Sequence, residues 1–259
     1  MSVARKIFVV GGSGFLGQAI CHNALARGWE VLSLSRHGAP SKILASGSPS
    51  ARGVKWIRGD ALDPASFREH LAGCTAVVHT VGVLMENDYK KMVNIGSTSA
   101  SSRGSPPPVT YERANRDTAL SVARTAREIQ GLDTFVYISA SDVLPLVSPR
   151  YISTKREAEN ELLAHEERMR PVILRPGFMF SSDRPVSLPI AAGVSLFNAL
   201  YHRTPAGCLL KHTPFAKAAS PALRRELVAS AVTNAIEDSR ISGVLEIADI
   251  ERIGNIKAP

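Results

Sequence analysis

A glycine-rich stretch near the start of the chain restricts the fold more than any other feature: residues 9–17 read Val-Val-Gly-Gly-Ser-Gly-Phe-Leu-Gly. The β-branched and aromatic run 6–10 leading into it predicts a buried parallel strand. Apolar residues at helical spacing follow over 18–28, and the terminal glycine of that segment predicts a helix stop. A strand, a glycine turn and a helix in this order are the context of a dinucleotide-binding fingerprint.

Each glycine of the stretch has a physical task in such a site. One permits the tight turn, another lets the backbone approach a pyrophosphate, and the last lets the helix pack close to the strand. The pyrophosphate would lie on the helix N-terminus, where unpaired N–H groups and the helix dipole favour anions. The residues predicted to bind the cofactor here are Gly11, Gly14, Phe15, Leu16 and Gly17.

The end of the second predicted strand, 30–35, indicates which dinucleotide binds. An acidic residue at this position would bind the ribose 2′-hydroxyl of NAD. The strand instead ends in Ser35, Arg36 and His37. A hydroxyl and a guanidinium complement a 2′-phosphate, whereas a carboxylate would repel it. The sequence therefore predicts NADP(H) as the cofactor.

Two further strands end in residues that suit the same cofactor. Strand 54–57 leads into Gly59 and Asp60, whose carboxylate either accepts from the adenine amino group or caps the next turn. Strand 75–81 ends at Gly82, where the missing side chain lets the backbone lie against a ribose. His79 lies within this strand, so we expect a core histidine whose ring nitrogens have partners.

The candidate catalytic residues lie at and after the end of the fifth predicted strand, 134–139. Tyr151 and Lys155 are four residues apart and share a helical face, so an ammonium can lie near the phenol. Such a charge favours the phenolate and suits a tyrosine that exchanges a proton with a carbonyl oxygen as hydride reaches its carbon. Ser139 and Ser141 are both candidates for holding that oxygen, and Ser139 is preferred for its distance from Tyr151.

Strand and helix patterns alternate along the whole chain. They predict an α/β fold of the Rossmann type: a doubly wound, mostly parallel sheet of six or seven strands with helices on both faces. We expect one domain over 1–259, with a dinucleotide-binding core in 1–177 and a smaller substrate-side region in 178–259. The Ser/Pro-rich segment 94–110 predicts a loop at the cofactor end. Helices are expected over 111–130 and 222–238, and a last strand over 243–248.

Composition narrows the function classes. The formal net charge of +8 suits an anionic ligand or surface, but the basic residues are scattered, which argues against nucleic-acid binding. The three cysteines are far apart without a Cys-x-x-Cys pair, which argues for a reducing compartment and against disulfides or a metal site. No run reaches the roughly 18 apolar residues of a membrane span. The apolar segment 188–200 predicts a substrate pocket, a membrane contact or a packed helix.

The motifs together resemble the short-chain dehydrogenase/reductase superfamily, most strongly over 6–177. The matching positions are Gly11–Gly17, Gly59-Asp60, Gly82, Asn115, Ser139, Tyr151, Lys155 and Arg175-Pro176-Gly177. Trp56 and the segments 89–91 and 151–159 look like the atypical branch. That branch includes the NADPH-binding accessory subunit of respiratory complex I and a fungal mitochondrial protein of coenzyme Q biosynthesis, of which the second is more similar.

The resemblance implies a role for each of three residues. Asn115 would hold a proton-relay water, Lys155 would bind the nicotinamide ribose, and Tyr151 would be the acid/base. It also implies an oxidoreductase acting on an apolar quinone-type compound or, alternatively, a non-catalytic nucleotide-binding accessory protein. We expect a mitochondrial protein on the matrix side, peripheral to the inner membrane or in a coenzyme Q biosynthetic complex. A cytoplasmic enzyme is the alternative.

Overall fold

The computed structural model describes residues 5–41, 52–82, 110–142, 148–183 and 220–256. Its centre is a parallel sheet of seven strands, which confirms the predicted α/β fold. In chain order its strands are β1 (Lys6–Val10), β2 (Glu30–Ser35), β3 (Val54–Arg58), β4 (Ala76–His79), β5 (Thr134–Ile138), β6 (Arg170–Leu174) and β9 (Gly243–Leu245). Two short strands, β7 (Met179–Phe180) and β8 (Leu223–Arg224), pair with each other outside it.

The strand order reverses beside β1. The sheet reads β3-β2-β1-β4-β5-β6-β9, so the chain first builds outward from β1 on one side and then crosses back to place β4 on its other side. In open parallel sheets a ligand binds outside the carboxyl ends of the strands at such a reversal. The glycine stretch leaves β1 at this end, as the predicted site requires.

Five α-helices cover the faces of the sheet within the described part of the chain. They are α1 (Phe15–Ala26), α2 (Thr118–Arg127), α3 (Pro149–Leu163), α4 (Arg225–Glu237) and α5 (Ile247–Gly254). Alternate strand residues point to opposite layers: Ile7 and Val9 join the core with α1, α4 and α5, while Phe8 and Val10 join the core with α2 and α3. The continuous apolar strands are thus buried on both faces, as parallel sheets require.

Helices α1 and α4 pack side by side in the same direction. Asn23 Nδ2 donates to Ser230 Oγ over 3.0 Å, and one turn later Arg27 donates to Asn234 Oδ1 over 2.6 Å. Because both helices run the same way, their N-termini lie together at the carboxyl edge of the sheet.

Some predicted boundaries are wrong for local reasons. The helix expected over 111–130 begins with a π-helical stretch, Glu112–Asp117, before α2. The strand expected over 243–248 stops at Leu245, because Glu246 and Asp249 form a capping box that starts α5. Leu223, expected in the helix over 222–238, belongs to β8 instead.

Several predictions fall outside the described residues. These are the segment 89–91, the apolar segment 188–200 and almost all of the loop 94–110. None of the helices within the described ranges is long and apolar enough to cross a membrane. Two arginines that follow the apolar segment lie in the described part: Arg224 is exposed, whereas the Arg225 side chain is only 14% exposed.

Candidate functional site

The turn after β1 is built so that α1 starts against the strand end. Gly11 has φ +88° and is a position where side chains are strained. A Cβ on Gly11 would lie 2.7 Å from Thr80 Oγ1, and a Cβ on Gly17 would overlap the Gly11 carbonyl oxygen. The Gly14 N–H donates to the Gly11 carbonyl over 2.9 Å and closes the turn. The close packing predicted for Gly17 is therefore present.

The first turn of α1 presents what an anion needs. Gly14 is the N-cap, so the N–H groups of Phe15, Leu16 and Gly17 have no acceptor within their own helix. The turn also contains no acidic residue. Backbone donors and the positive end of the helix dipole therefore suit a diphosphate.

A cleft of about 740 Å³ opens beside this turn. Its wall includes the β2 end with Arg36 and His37, the loop after β3 with Asp60, and Arg113 from the π-helical stretch. Arg113 was missed by sequence reasoning, because an ordinary helical period gives no sign of the π-helical register that carries it to the cleft. Among the described residues, no carboxylate pairs with its guanidinium.

Two predicted cofactor ligands at this cleft have local partners. The Ser35 hydroxyl donates to the Gly38 carbonyl over 2.6 Å. Asp60 Oδ1 accepts from the Leu62 N–H over 2.9 Å, so the carboxylate caps its own turn, which was one of its two predicted roles. Both residues still line the cleft.

Gly82, Asn115 and Lys155 meet beyond the ends of β4 and β5. A Cβ on Gly82 would lie 3.1 Å from Lys155 Nζ and 3.2 Å from Asn115 Oδ1. The absent side chain thus leaves a surface formed by an amide and an amine. These three residues are far apart in the chain, and the sequence-based site placed all of them near the cofactor.

Lys155 is fully buried and directed at the backbone. Its Nζ donates to the Ile138 carbonyl over 2.9 Å and lies 4.7 Å from the centroid of the Tyr137 ring. Burial lowers the pKa of Lys155 from its ordinary 10.5 to about 7, although the Glu159 carboxylate acts in the opposite direction.

Tyr151 differs from the prediction in its acidity. The phenol is buried and lies edge-on to the Tyr111 ring, with centroids 5.9 Å apart. Burial, assisted by Tyr111, raises the pKa of Tyr151 to about 12. The pKa lowering expected from Lys155 is therefore wrong for this structure, because desolvation of the phenolate dominates and the Lys155 ammonium is bound to a backbone carbonyl.

The hydroxyl of Ser139 is already used by the protein. It donates to Glu159 Oε1 and accepts from Arg156 Nη1 over 3.2 Å. Glu159 is fully buried and also forms an ion pair with Arg175. Among the described residues, nothing binds the side-chain hydroxyl of Ser141. Ser139, the preferred candidate, is therefore bound by protein groups, and the choice between Ser139 and Ser141 stays a prediction.

His79 is a core residue, but its nitrogens are not satisfied. Both ring nitrogens are buried without a hydrogen-bond partner among the described residues. The ring lies between Phe135 and Tyr137, at centroid distances of 6.5 and 5.8 Å. Burial, with the nearby Lys155 charge, lowers the pKa of His79 to about 3, so the ring is neutral at physiological pH.

Comparison with known proteins identifies relatives of the whole arrangement. A family model described as NAD(P)H-binding matches residues 11–192. MIOREX complex component 2 of Saccharomyces cerevisiae is 36% identical over 205 residues, covering 69% of this chain and 74% of that protein. A 4-hydroxy-2-methyl-3-oxo-4-farnesyl-3,4-dihydroquinoline-1-oxide ketoreductase of Stigmatella aurantiaca is 28% identical over 71% of this chain and 53% of that protein. The Bordetella bronchiseptica enzyme WbmF, solved with NAD⁺, has the same fold with a TM-score of 0.60 at 15% identity, covering 99% of this chain and 80% of that chain.

The lowered pKa of Lys155 predicts a pH-dependent stability. Between pH 7 and about 8.5 the unfolded chain holds the Lys155 proton and the folded chain releases it, so the free energy of unfolding should rise with pH. We expect a rise of about 1.5 kcal/mol over this window. His79 contributes mainly between about pH 3 and pH 6.5, where the unfolded imidazole holds a proton that the folded ring has released. The buried thiols of Cys21 and Cys74 affect the free energy of unfolding only near and above pH 9, since burial raises their pKa values.

Urea titrations at several pH values would measure this rise. Lys155→Met should remove it, whereas the same substitution at the exposed Lys55 should leave it unchanged. If the free energy of unfolding of Lys155→Met rises equally with pH, Lys155 is not the source of the pH dependence.

Proposed function

The chain belongs to the NAD(P)H-binding, short-chain dehydrogenase/reductase-like family, and from this membership we propose that it is an NADP(H)-dependent reductase of an apolar, carbonyl-bearing ring compound. The observation that carries the proposal is one continuous edge of the sheet. The glycine turn, the cleft beside it, and the Gly82–Asn115–Lys155 surface all lie at the carboxyl ends of the central strands.

The residues present fit a dinucleotide along this edge. The first-turn N–H groups of α1 would hold the diphosphate, because Gly11 and Gly17 allow the tight turn that places this helix end at the edge of the sheet. Gly82 and Lys155 would hold the nicotinamide ribose, with the amine as a donor. When bound, the nicotinamide supplies the hydride.

The charges around the cleft support NADP(H) over NAD(H). Arg36, His37 and Arg113 bring basic groups to its wall. The carboxylate of Asp60 is engaged by the Leu62 N–H. A 2′-phosphate would meet cations there, and one Arg guanidinium can donate two parallel hydrogen bonds to two phosphate oxygens.

Arg36→Asp should therefore reverse the cofactor preference. We expect NADPH affinity to fall by about 10-fold or more, because an attractive charge becomes a repulsive one, while NADH affinity is kept or improved. Calorimetric titration of both cofactors measures the ratio. Replacing Arg58, at the exposed end of the neighbouring strand β3, by Asp is the matched control. Tighter binding of NADH than of NADPH to the unmodified protein would rule out the preference.

Tyr151 is proposed as the acid of the reaction. A phenol whose pKa is raised to about 12 stays protonated at neutral pH. It can give its proton to a carbonyl oxygen as the hydride adds to the carbonyl carbon, which converts a ketone to an alcohol. The protonated phenol is the state from which reduction starts, so we propose that the protein acts as a reductase. Ser141 is the serine proposed to hold the substrate oxygen.

The substrate class rests on the relatives. The Stigmatella aurantiaca protein is a ketoreductase of a ring compound with oxo and farnesyl groups, and it matches most of this chain. By analogy we propose a quinone-type intermediate of coenzyme Q biosynthesis as the substrate, in keeping with the resemblance found in the sequence.

A second function is favoured by a different observation. Ser139 is bound by Glu159, and no group among the described residues lowers the pKa of Tyr151 enough to make a ready base. A nucleotide-binding accessory subunit needs neither group. The yeast relative is named as a component of a complex. We therefore keep a non-catalytic role in a mitochondrial membrane-associated complex as the alternative.

Tyr151→Phe separates the two functions. If the protein is a reductase, the variant should lose turnover of quinone precursors by about 100-fold or more, because proton donation is lost, while NADPH binding is kept. Tyr111→Phe removes a hydroxyl from the adjacent ring and serves as the control. Cofactor oxidation measures turnover, and calorimetry measures binding. If the unmodified protein binds NADPH tightly but turns over none of the quinone precursors, the reductase function is excluded and the accessory function is supported.

Location follows from the proposed partners. We propose a mitochondrial protein on the matrix side, held peripherally at the inner membrane or in a coenzyme Q biosynthetic assembly. The net charge of +8 supports contact with anionic lipid, at about 1 kcal/mol per basic residue near the surface. The cytoplasmic alternative assigns that charge to solubility and cofactor attraction.

Cell fractionation should recover the protein in mitochondria. The protein, expressed from its own promoter, should be released from the membranes by carbonate, because the proposed attachment is peripheral and ionic. A matrix marker and an integral membrane marker are the controls. Recovery in the cytosol alone would exclude the proposed location.

A further inference from the structure

Arg225, the first residue of α4, lies beside the start of α1. Its Cζ is 5.2 Å from the centroid of the Phe15 ring, and Phe15 is the first residue of α1. The guanidinium donates to Asp183 Oδ2 over 2.6 Å and to Glu226 Oε1 over 2.9 Å. Its side chain is only 14% exposed, whereas that of Asp183 is 66% exposed. An inward-facing cation is thus held by carboxylates that face solvent.

The surroundings of this cation favour an anion. Because α1 and α4 are parallel, the positive ends of two helix dipoles lie together at the same edge. The first turn of α1 contains no acidic residue. The glycine turn lets this first turn of α1 pack directly against the end of β1, at the carboxyl edge of the sheet. Within the described ranges, Asp183 and Glu226 are therefore the groups that balance the charge of Arg225 in the protein alone.

We propose that Arg225 is an additional cofactor-binding residue, which exchanges Asp183 for a phosphate oxygen of the cofactor's diphosphate. This inference rests on the proposed NADP(H) binding. The exchange replaces one anionic partner of the guanidinium by another, so no unpaired buried charge is created. Stacking on Phe15 keeps the guanidinium beside the first turn of α1 during the exchange. Arg225 and Phe15 are far apart in the chain, so no local spacing indicates their contact.

Calorimetry of substituted proteins with two probes tests the proposal. NADPH contains the diphosphate, whereas adenosine 2′-monophosphate reaches only the adenosine end of the site. Arg225→Met should weaken NADPH binding by about 10-fold or more, since a charge-assisted hydrogen bond is lost, and leave binding of the monophosphate unchanged. Arg224→Met removes the same charge from the exposed neighbouring position and should change neither.

Asp183→Asn gives the decisive sign. It removes the anion that competes for Arg225, so NADPH should bind about 2-fold to 5-fold more tightly. If Arg225 only holds α4 against α1, Asp183→Asn should leave NADPH binding unchanged or weaken it. If Arg225→Met does not fold, Arg225→Lys keeps the charge without the planar fork and should still weaken NADPH binding.

Failure of the Arg225 proposal and failure of the proposed function give different results. Equal losses in the Arg224 and Arg225 variants, equal losses for both probes, or no tightening in Asp183→Asn would overturn the role of Arg225. Absence of NADPH binding by the unmodified protein, with the fold intact by circular dichroism, would overturn the proposed function itself.

Discussion

The close approach of α1 to the end of β1 is the constraint on which the rest of the structure depends. No Cβ can be placed on Gly17 without meeting the Gly11 carbonyl, and none on Gly12 without meeting Ser33. This contact points the first turn of α1 at the carboxyl edge of the sheet, beside the reversal between β1 and β4. The cleft, the Gly82 surface and Arg225 are all arranged around that helix end.

Buried charge holds the other half of the site. Lys155 is bound by the Ile138 carbonyl, and Glu159 is bound by Ser139, Arg156 and Arg175. One turn of α3 separates Lys155 from Glu159. Through these two residues α3 is bound to the ends of β5 and β6 at once. Removing one partner of such a group leaves a charge in a poorly solvating place, which strongly disfavours any rearrangement. The network therefore makes α3, which bears Tyr151, a rigid base for the proposed chemistry.

The same burial sets the protonation states. Desolvation raises the pKa of the Tyr151 phenol and lowers that of the Lys155 amine, because each group loses water around its charged form. At neutral pH the phenol is therefore protonated, which is the state that donates a proton to a substrate carbonyl. The scarcity of phenolate also explains why the accessory function stays a candidate.

The sequence by itself determined the parallel sheet, the glycine turn and the meeting of Gly82, Asn115 and Lys155 at the carboxyl edge. These follow from local rules: apolar runs of strand length, glycine where a side chain cannot fit, and helical spacing after it. Only the tertiary structure decided that Ser139 belongs to Glu159, that Arg113 reaches the cleft from a π-helical stretch, and that Arg225 stacks on Phe15. Those partners meet through packing between elements distant in the chain, and a pKa depends on the water that such packing removes, so no local pattern contains them.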